Sequence, residues 1–256
     1  MTLTRRHFCA TAAAAGSITF LPFVPRANAQ SGDVFETPAG NITVNPVQHA
    51  SIVLETPAGT IYVDPVGDAS AYDGHPAPDL ILVTHEHGDH FNAETLAALV
   101  ADNTVLIANP AVHGMLPDPL KAKASAVANG EATEFNGLAI DAIAAYNTTE
   151  GRTNFHPQGR DNGYVLSFDG LRVYVSGDTE DIPEMRALEN IDVAFICMNL
   201  PFTMGAEQAA SAVKEFKPKY VYPYHYRGRD DGTQDPQAFA TLVGDATEVK
   251  FGDWYA

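Results

Sequence analysis

The sequence predicts an α/β fold of two β-rich halves packed face to face with helices outside, a four-layer αββα sandwich. Three observations carry this expectation. A phrase is written twice near the start, as Glu36-Thr-Pro-Ala-Gly-Asn-Ile-Thr-Val-Asn-Pro and as Glu55-Thr-Pro-Ala-Gly-Thr-Ile-Tyr-Val-Asp-Pro, and each copy reads as a turn feeding a β-branched strand. The stretch Gly163–Asp178 echoes Ser51–Asp64, both being hairpins whose second strand ends in an aspartate. Each hairpin is then followed by an apolar strand, a helix and a last strand, at 79–84, 93–101 and 104–108 in one half and at 192–198, 205–216 and 220–224 in the other. Corresponding strand ends of two such pseudo-repeated halves meet at one edge, between the halves.

The first residues are set aside before any fold reasoning. Thr4-Arg5-Arg6-His7-Phe8 is a twin-arginine pattern, followed by an Ala-rich apolar run and by Ala27-Asn28-Ala29, a small-x-small cleavage signal. Residues 1–29 therefore read as a Tat-type signal peptide and 30–256 as a single domain, exported or periplasmic, with no membrane attachment after cleavage. An uncleaved anchor is the competing reading, disfavoured because Pro22 and Pro25 interrupt a run already short for a span. The chain has 256 residues, 45% of them hydrophobic, enough for one sizeable core.

Losing Arg5, Arg6 and Arg26 leaves 12 of the 15 basic residues against 32 acidic ones, a formal charge of −20. That balance argues against nucleic acid as a partner, which needs a basic face. It leaves a small-molecule substrate as the expected partner and the oligomeric state open. Cys9 leaves with the signal, so Cys197 is alone and no internal disulfide forms; its apolar setting, Val193-Ala-Phe-Ile-Cys, marks a buried structural thiol.

Taken in order, Thr-Pro-Ala-Gly places Pro second and Gly fourth, as a type I turn prefers. The strands Asn41–Asn45, Ala50–Glu55 and Thr60–Asp64 form a meander, and residues 65–78, rich in Gly, Pro, Asp and Ala, form a loop. Leu80–Thr84 is a continuous apolar strand. Asn92 is placed to cap a helix Ala93–Ala101, with Glu94 in its first turn. A strand Thr104–Ala108, a short helix Ala111–Leu116 and strands at 124–128, 132–135 and 138–144 follow before the second half begins its echo.

Chemistry concentrates directly after Leu80–Thr84. His85-Glu-His-Gly-Asp-His90 packs three imidazoles and Asp89 into six residues at a strand end. Imidazoles at i and i+2 on an extended backbone point to one side, and an Asp-His pair just beyond can reach a second ion. Such donors suit zinc, manganese or iron. In the second half, Ser176-Gly-Asp178-Thr179 and Tyr224-His225-Tyr226 stand at matching strand ends. Read singly, Asp178 could be a helix cap or turn residue and His225 a packed surface histidine; their matched positions favour a shared site.

His85-Glu-His-Gly-Asp-His90 has the form H-x-H-x-D-H, and from about Asn41 to Trp254 the chain resembles the metallo-β-lactamase-fold hydrolases. Gln48-His49-Ala50-Ser51, Asp64-Pro65, Gly177-Asp178-Thr179, Phe202-Thr203-Met204 and Pro223-Tyr224-His225-Tyr226 resemble the branch that includes sugar-phosphate lactonase relatives. The resemblance implies His85 and His87 on a first ion, Asp89, His90 and His225 on a second, and Asp178 bridging. It implies that Asp64 accepts a hydrogen bond from a ligand imidazole and fixes its tautomer. One element departs from the pattern. A further His for the first ion commonly follows the strand written here Ile140-Asp-Ala-Ile-Ala-Ala, where this chain has Tyr146-Asn147. The nearest candidate is His156, on a loop from 147 to 162 long enough to swing an imidazole back; it is a ligand, a substrate contact or a plain loop residue. His49 is a candidate substrate contact, and Arg160, Arg227 and Arg229 are loop cations that could receive an anionic group or serve as salt-bridge partners.

The resemblance implies a metal-dependent hydrolase in which a metal-bound hydroxide, oriented by Asp89 as catalytic residue, attacks an ester, lactone or phosphodiester. The implied cofactor is two zinc ions, with manganese or iron as alternatives. Gly-x-Ser-x-Gly and Gly-rich phosphate loops are absent. The competing readings are a mononuclear iron oxidoreductase on the same fold and a non-catalytic metal-binding periplasmic protein.

Overall fold

A computed structural model describes residues 32–255; the twin-arginine segment and the expected cleavage point at Ala29 lie outside the described residues. Two seven-stranded sheets carry the fold, and in each the strands lie side by side in chain order. The first holds β1 (Asp33–Thr37), β2 (Gly40–Gln48), β3 (Ser51–Thr56), β4 (Gly59–Val63), β5 (Leu80–Val83), β6 (Val105–Ala108) and β7 (Ala124–Ala126). The second holds β8 (Ala132–Phe135), β9 (Leu138–Ala145), β10 (Asp161–Phe168), β11 (Leu171–Val175), β12 (Val193–Cys197), β13 (Tyr220–Tyr224) and β14 (Glu248–Val249).

The two sheets repeat one plan. β1 to β4 pair antiparallel and β4 to β7 parallel. β8 to β11 pair antiparallel and β11 to β14 parallel. The parallel connections carry helices: α1 (Ala93–Leu99), α2 (Pro110–Met115) and α3 (Asp118–Lys121) in the first half, α4 (Pro183–Arg186), α5 (Ala206–Phe216) and α6 (Pro236–Val243) in the second. The repeated turn phrase closes two hairpins alike. Thr37 Oγ1 donates to the Gly40 carbonyl and Thr56 Oγ1 to that of Gly59, both at 2.7 Å. Gly40 and Gly59 sit at φ 137° and 129°, a conformation open to glycine and strained for other residues.

Strand periodicity sorts the core. Ile52 and Leu54 of β3, Ile61 and Val63 of β4, and Leu80 and Leu82 of β5 join Tyr164, Leu166, Val173, Val175 and Phe195 of the second sheet in one cluster. The intervening residues Val53, Tyr62, Ile81 and Val83 face the opposite way, onto Leu96 of α1, Val112 of α2 and Leu120 of α3. The four layers thus follow from period-2 alternation, with each fully buried Leu or Ile contributing roughly 1.5–3 kcal/mol.

Three local expectations shift. β1 adds an edge strand ahead of Asn41. The loop at 65–78 contains a 3-10 turn, Ala69–Tyr72, whose Tyr72 stacks on Tyr62 with ring centroids 5.2 Å apart. α1 ends at Leu99, not Ala101, because Val100 is already extended, while Asn92 Oδ1 caps it by accepting from the amides of Glu94 and Thr95 at 2.9 Å each.

Candidate metal centre

Asp64, His85, Asp178, Asn199 and His225 all lie just beyond the ends of parallel strands (β4, β5, β11, β12 and β13), and their side chains meet between the sheets. Asp178 is the meeting point. Its Oδ1 lies 3.3 Å from His90 Nε2, and its Oδ2 lies 3.2 Å from His225 Nε2 and 3.5 Å from His156 Nε2. His85 Nε2 is 3.1 Å from His87 Nδ1, and the His156 ring centroid lies 4.9 and 4.8 Å from those of His85 and His87. Asp89 Oδ2 stands 3.6 Å from His225 Nε2. Potential ligand atoms fall into three sets, each within 4.8 Å: His85, His87 and His156; His85, His90 and Asp178; His49, Asp89 and His225.

The residues around the donors fix which atoms face inward. Asp64 is fully buried and every contact on its carboxylate is a donor: the Thr84 amide at 2.7 Å, Thr84 Oγ1 at 2.6 Å and His90 Nδ1 at 2.7 Å. His90 therefore keeps a proton on Nδ1 and turns Nε2 toward Asp178, whose carboxylate, with that of Asp64, outweighs burial and holds the imidazole well above its ordinary pKa; a metal ion would take the place of the proton on Nε2. Thr84 Oγ1, its hydrogen given to Asp64, accepts from His85 Nδ1 at 3.0 Å, so one carboxylate sets two tautomers. Asp161 does the same for His156, accepting from Nδ1 at 2.9 Å.

Three of the described non-glycine residues with positive φ stand here: His49 at 51°, Asp64 at 45° and His225 at 47°. Backbone held in this region is found where surrounding structure over-determines it, commonly at functional sites. A register shift between Pro46 and Gln48 bends β2 just before His49.

The loop bearing His156 is clamped from behind. Glu180 Oε2 accepts from the amide and hydroxyl of both Thr148 and Thr149 at 2.7–3.0 Å, and Arg152 Nη2 lies 2.8 Å from its Oε1. His49 is turned toward Asp89: the Tyr255 hydroxyl donates to His49 Nδ1 at 2.9 Å, and His49 Nε2 donates to Asp89 Oδ2 at 3.1 Å. Burial alone would raise the Asp89 pKa; this hydrogen bond, with His90 and His225 nearby, holds it below the usual carboxylate range.

The three arginines part ways. Arg160 is committed to the loop, its Nε 2.6 Å from Asp161 Oδ1 and its Nη1 2.6 Å from Glu86 Oε1. Arg227 lies 4.2 Å above the Tyr255 ring, lining a neighbouring cavity with His49. Arg229 lines the cavity over the cluster, a space of about 280 Å³ that also touches His87, Asp89, Asp178, Phe202 and Asn199. Asn199, Asp161, Glu180 and Tyr255 were not singled out from the sequence. Asn199 stands two residues past the apolar strand β12, the kind of strand-end position that singled out His85, with its amide nitrogen 3.1 Å from His225 Nδ1.

The donor set fits a divalent metal. His90 Nε2, His156 Nε2 and Asp178 Oδ1 are buried without a hydrogen-bond partner among the described residues, although such atoms are nearly always partnered in folded proteins. Imidazole nitrogens and carboxylate oxygens are the ligands of zinc, manganese and iron. Burial, followed by its histidine neighbours, pushes His85 well below the ordinary imidazole range; burial also lowers His87. Asp178 is depressed too, because His225 and His90 outweigh the burial that opposes its charge. Cys197 offers no competing nucleophile, since burial pushes its thiol up to about 12.

Comparison with known proteins bears on this geometry. The family model described as the Beta-lactamase superfamily domain matches residues 43–225. A UPF0173 metal-dependent hydrolase of Pyrococcus abyssi is 32% identical over 176 residues, covering 67% of this chain and 76% of that protein. A crystal structure from Parabacteroides distasonis, named as a metal-dependent hydrolase, superposes with a TM-score of 0.77 at 39% identity, covering 87% of this chain and 98% of that one. The diiron β-hydroxylase CmlA of Streptomyces venezuelae shares the fold at 18% identity, with a TM-score of 0.56 over 86% of this chain and 48% of that one. The shared β-lactamase domain, the similarity to metal-dependent hydrolases over most of their length and the strand-end cluster of imidazoles and carboxylates agree: this chain belongs to the metallo-β-lactamase superfamily, among its UPF0173 metal-dependent hydrolases.

Proposed function

We propose that the chain is a dinuclear hydrolase of small-molecule esters, lactones or phosphodiesters, with zinc as the expected metal. His85, His87 and His156 would hold one ion, Asp89, His90 and His225 the other, with Asp178 between them. The observation that carries this reading is the unpartnered state of His90 Nε2, His156 Nε2 and Asp178 Oδ1 in one buried cluster. Divalent ions held there supply Lewis acidity, easing deprotonation of water near neutral pH and polarising a substrate oxygen.

The protein's own part is orientation. Asp64 and Thr84 anchor His90 and His85 through Nδ1, and Asp161 anchors His156 likewise, so that each Nε2 is the atom left to face inward. Asp89, held by His49, borders the cavity, where it can accept a hydrogen bond from the attacking water and orient it. Asn199 offers an amide to the same cavity. A lactone is a natural member of the substrate class, consistent with the lactonase-like phrases around His49, Asp178 and His225.

Oxidation is the reading to exclude, because the fold also carries a diiron hydroxylase. Metal analysis of the purified chain, coupled to a panel of lactones, phosphodiesters and β-lactams, tests the proposal: zinc or manganese with turnover of one class is expected. Iron with oxygen consumption and no hydrolysis would overturn it. The twin-arginine segment further supports export. Arg5→Lys with Arg6→Lys should retain the protein in the cytoplasm of its host, and an unchanged distribution would refute that part.

A further inference from the structure

One cation at the cluster's cavity rests on an aromatic ring and pairs with no acid among the described residues. Among the described residues, Arg229 has no acidic partner and no side-chain hydrogen bond, whereas Arg160 is paired with Asp161 and Glu86 and Arg227 lies on Tyr255 in the neighbouring cavity. The other charged carboxylates bordering the cavity are Asp89 and Asp178, which the site itself engages.

Arg229 is nevertheless held in place. Its amide donates to the Leu200 carbonyl at 3.1 Å and its carbonyl accepts from Gly232 at 2.8 Å. Both glycines of this turn are pressed on Leu200: a Cβ on Gly228 would meet the Leu200 carbonyl oxygen at 2.3 Å, and one on Gly232 at 1.9 Å. The guanidinium carbon lies 5.1 Å from the centre of the Phe202 ring, and Phe202 packs edge-to-face on Phe155 with centroids 5.1 Å apart. The result is a planar cation resting on an aromatic wall at the mouth of a metal cavity, in a chain whose surface is strongly acidic. A guanidinium so placed presents a fork suited to two oxygens of one oxyacid group.

We infer that Arg229, backed by Phe202 and Phe155, is the subsite for an anionic oxyacid group, carboxylate or phosphate, on the part of the substrate remote from the bond that is cleaved. The substrate is then a small anionic ester, lactone or phosphodiester, not a neutral one. This assignment rests on the metal-site reading above, since the reacting end of such a molecule would lie toward the histidines.

The test is calorimetric binding to the zinc-loaded protein of succinate, glutarate and adipate, each against its monoamide, which keeps the chain length and removes one charge. For the best-fitting length the diacid should bind about 10- to 100-fold tighter than its monoamide, the range of a charge-assisted hydrogen-bonded pair. In Arg229→Ala that ratio should fall to near one, with Arg229→Lys between. Replacing the free carboxylate by phosphonate assigns the preferred oxyacid by whether affinity rises or falls. A ratio near one in the wild type at every length, a ratio that survives Arg229→Ala, or one that collapses in Arg227→Ala instead would overturn the assignment. Zinc content measured on each sample separates loss of the metal from loss of the subsite. Because the readout is binding, it stands apart from whether any hydrolysed substrate is found.

Discussion

Asp64 and Asp178 stand past corresponding strands of the two halves, one residue beyond β4 and three beyond β11. Their surroundings have diverged. Asp64 is served entirely by donors from the protein: an amide, a hydroxyl and an imidazole N–H, all within 2.7 Å. Asp178 faces three imidazole nitrogens at 3.2–3.5 Å and keeps Oδ1 without a partner among the described residues. A buried carboxylate whose lone pairs are filled is a brace; one whose lone pairs are open toward other open donors is placed to serve as a ligand. The repeated scaffold thus supplies an acid past each of two corresponding strands, and the neighbours decide their work. One fixes the tautomers of His90 and His85, and the other stands where those nitrogens point.

Substitution should separate these two acids sharply. Asp178→Ala removes the group on which both donor sets converge, so activity is expected to fall by at least about 10³-fold, given Lewis-acid stabilisation worth several kcal/mol, with metal content reduced below that of the wild type. Asp64→Asn removes the carboxylate that anchors His90 Nδ1 and makes Nε2 a stronger donor; metal affinity should weaken by about 10–100-fold while binding persists. The same change leaves buried donors mismatched and should lower stability to urea by roughly 1–3 kcal/mol. Chelation of the wild type should lower the melting temperature, and added zinc should raise it with concentration, because only the folded chain assembles the site; a chelated sample melting unchanged would argue against occupied ligands. The smallest effect belongs to Tyr255→Phe, which removes one hydrogen bond to His49, worth about 0.5–1.5 kcal/mol. A few-fold drop in turnover with unchanged metal content is expected, whereas loss of metal would make Tyr255 part of the ligand framework.

What could be read in the sequence follows the same contrast between halves. His85, His87, Asp89 and His90 are contiguous, so their shared purpose is visible in a single phrase, and the hairpin echo announces both the sandwich and the positions of Asp64 and Asp178. The second half delivers its groups from a loop, a turn and a last strand spread between His156 and His225, and only the fold brings them together. His156 was one of three readings on a long loop; its placement depends on Glu180 gathering Thr148, Thr149 and Arg152, a clamp with no local signature. Asp161 and Tyr255 are invisible for a related reason: each reaches its histidine by one hydrogen bond that only the fold creates, and Tyr255 is far from His49 in sequence. The arginines could be named but not sorted, since whether a cation is paired depends on which acids the folded loops set beside it.

The account turns on Asp178 as the shared ligand and Asp64 as the brace, and metal stoichiometry measures that most directly. Elemental analysis of wild type, Asp178→Ala and Asp64→Asn, each dialysed against a fixed zinc concentration with the zinc of the dialysate subtracted, should give two ions per chain for the wild type. One or none is expected for Asp178→Ala, and two for Asp64→Asn when zinc is kept well above its weakened affinity. Equal metal content in Asp178→Ala and the wild type, or a wild type that retains no divalent ion, would contradict it.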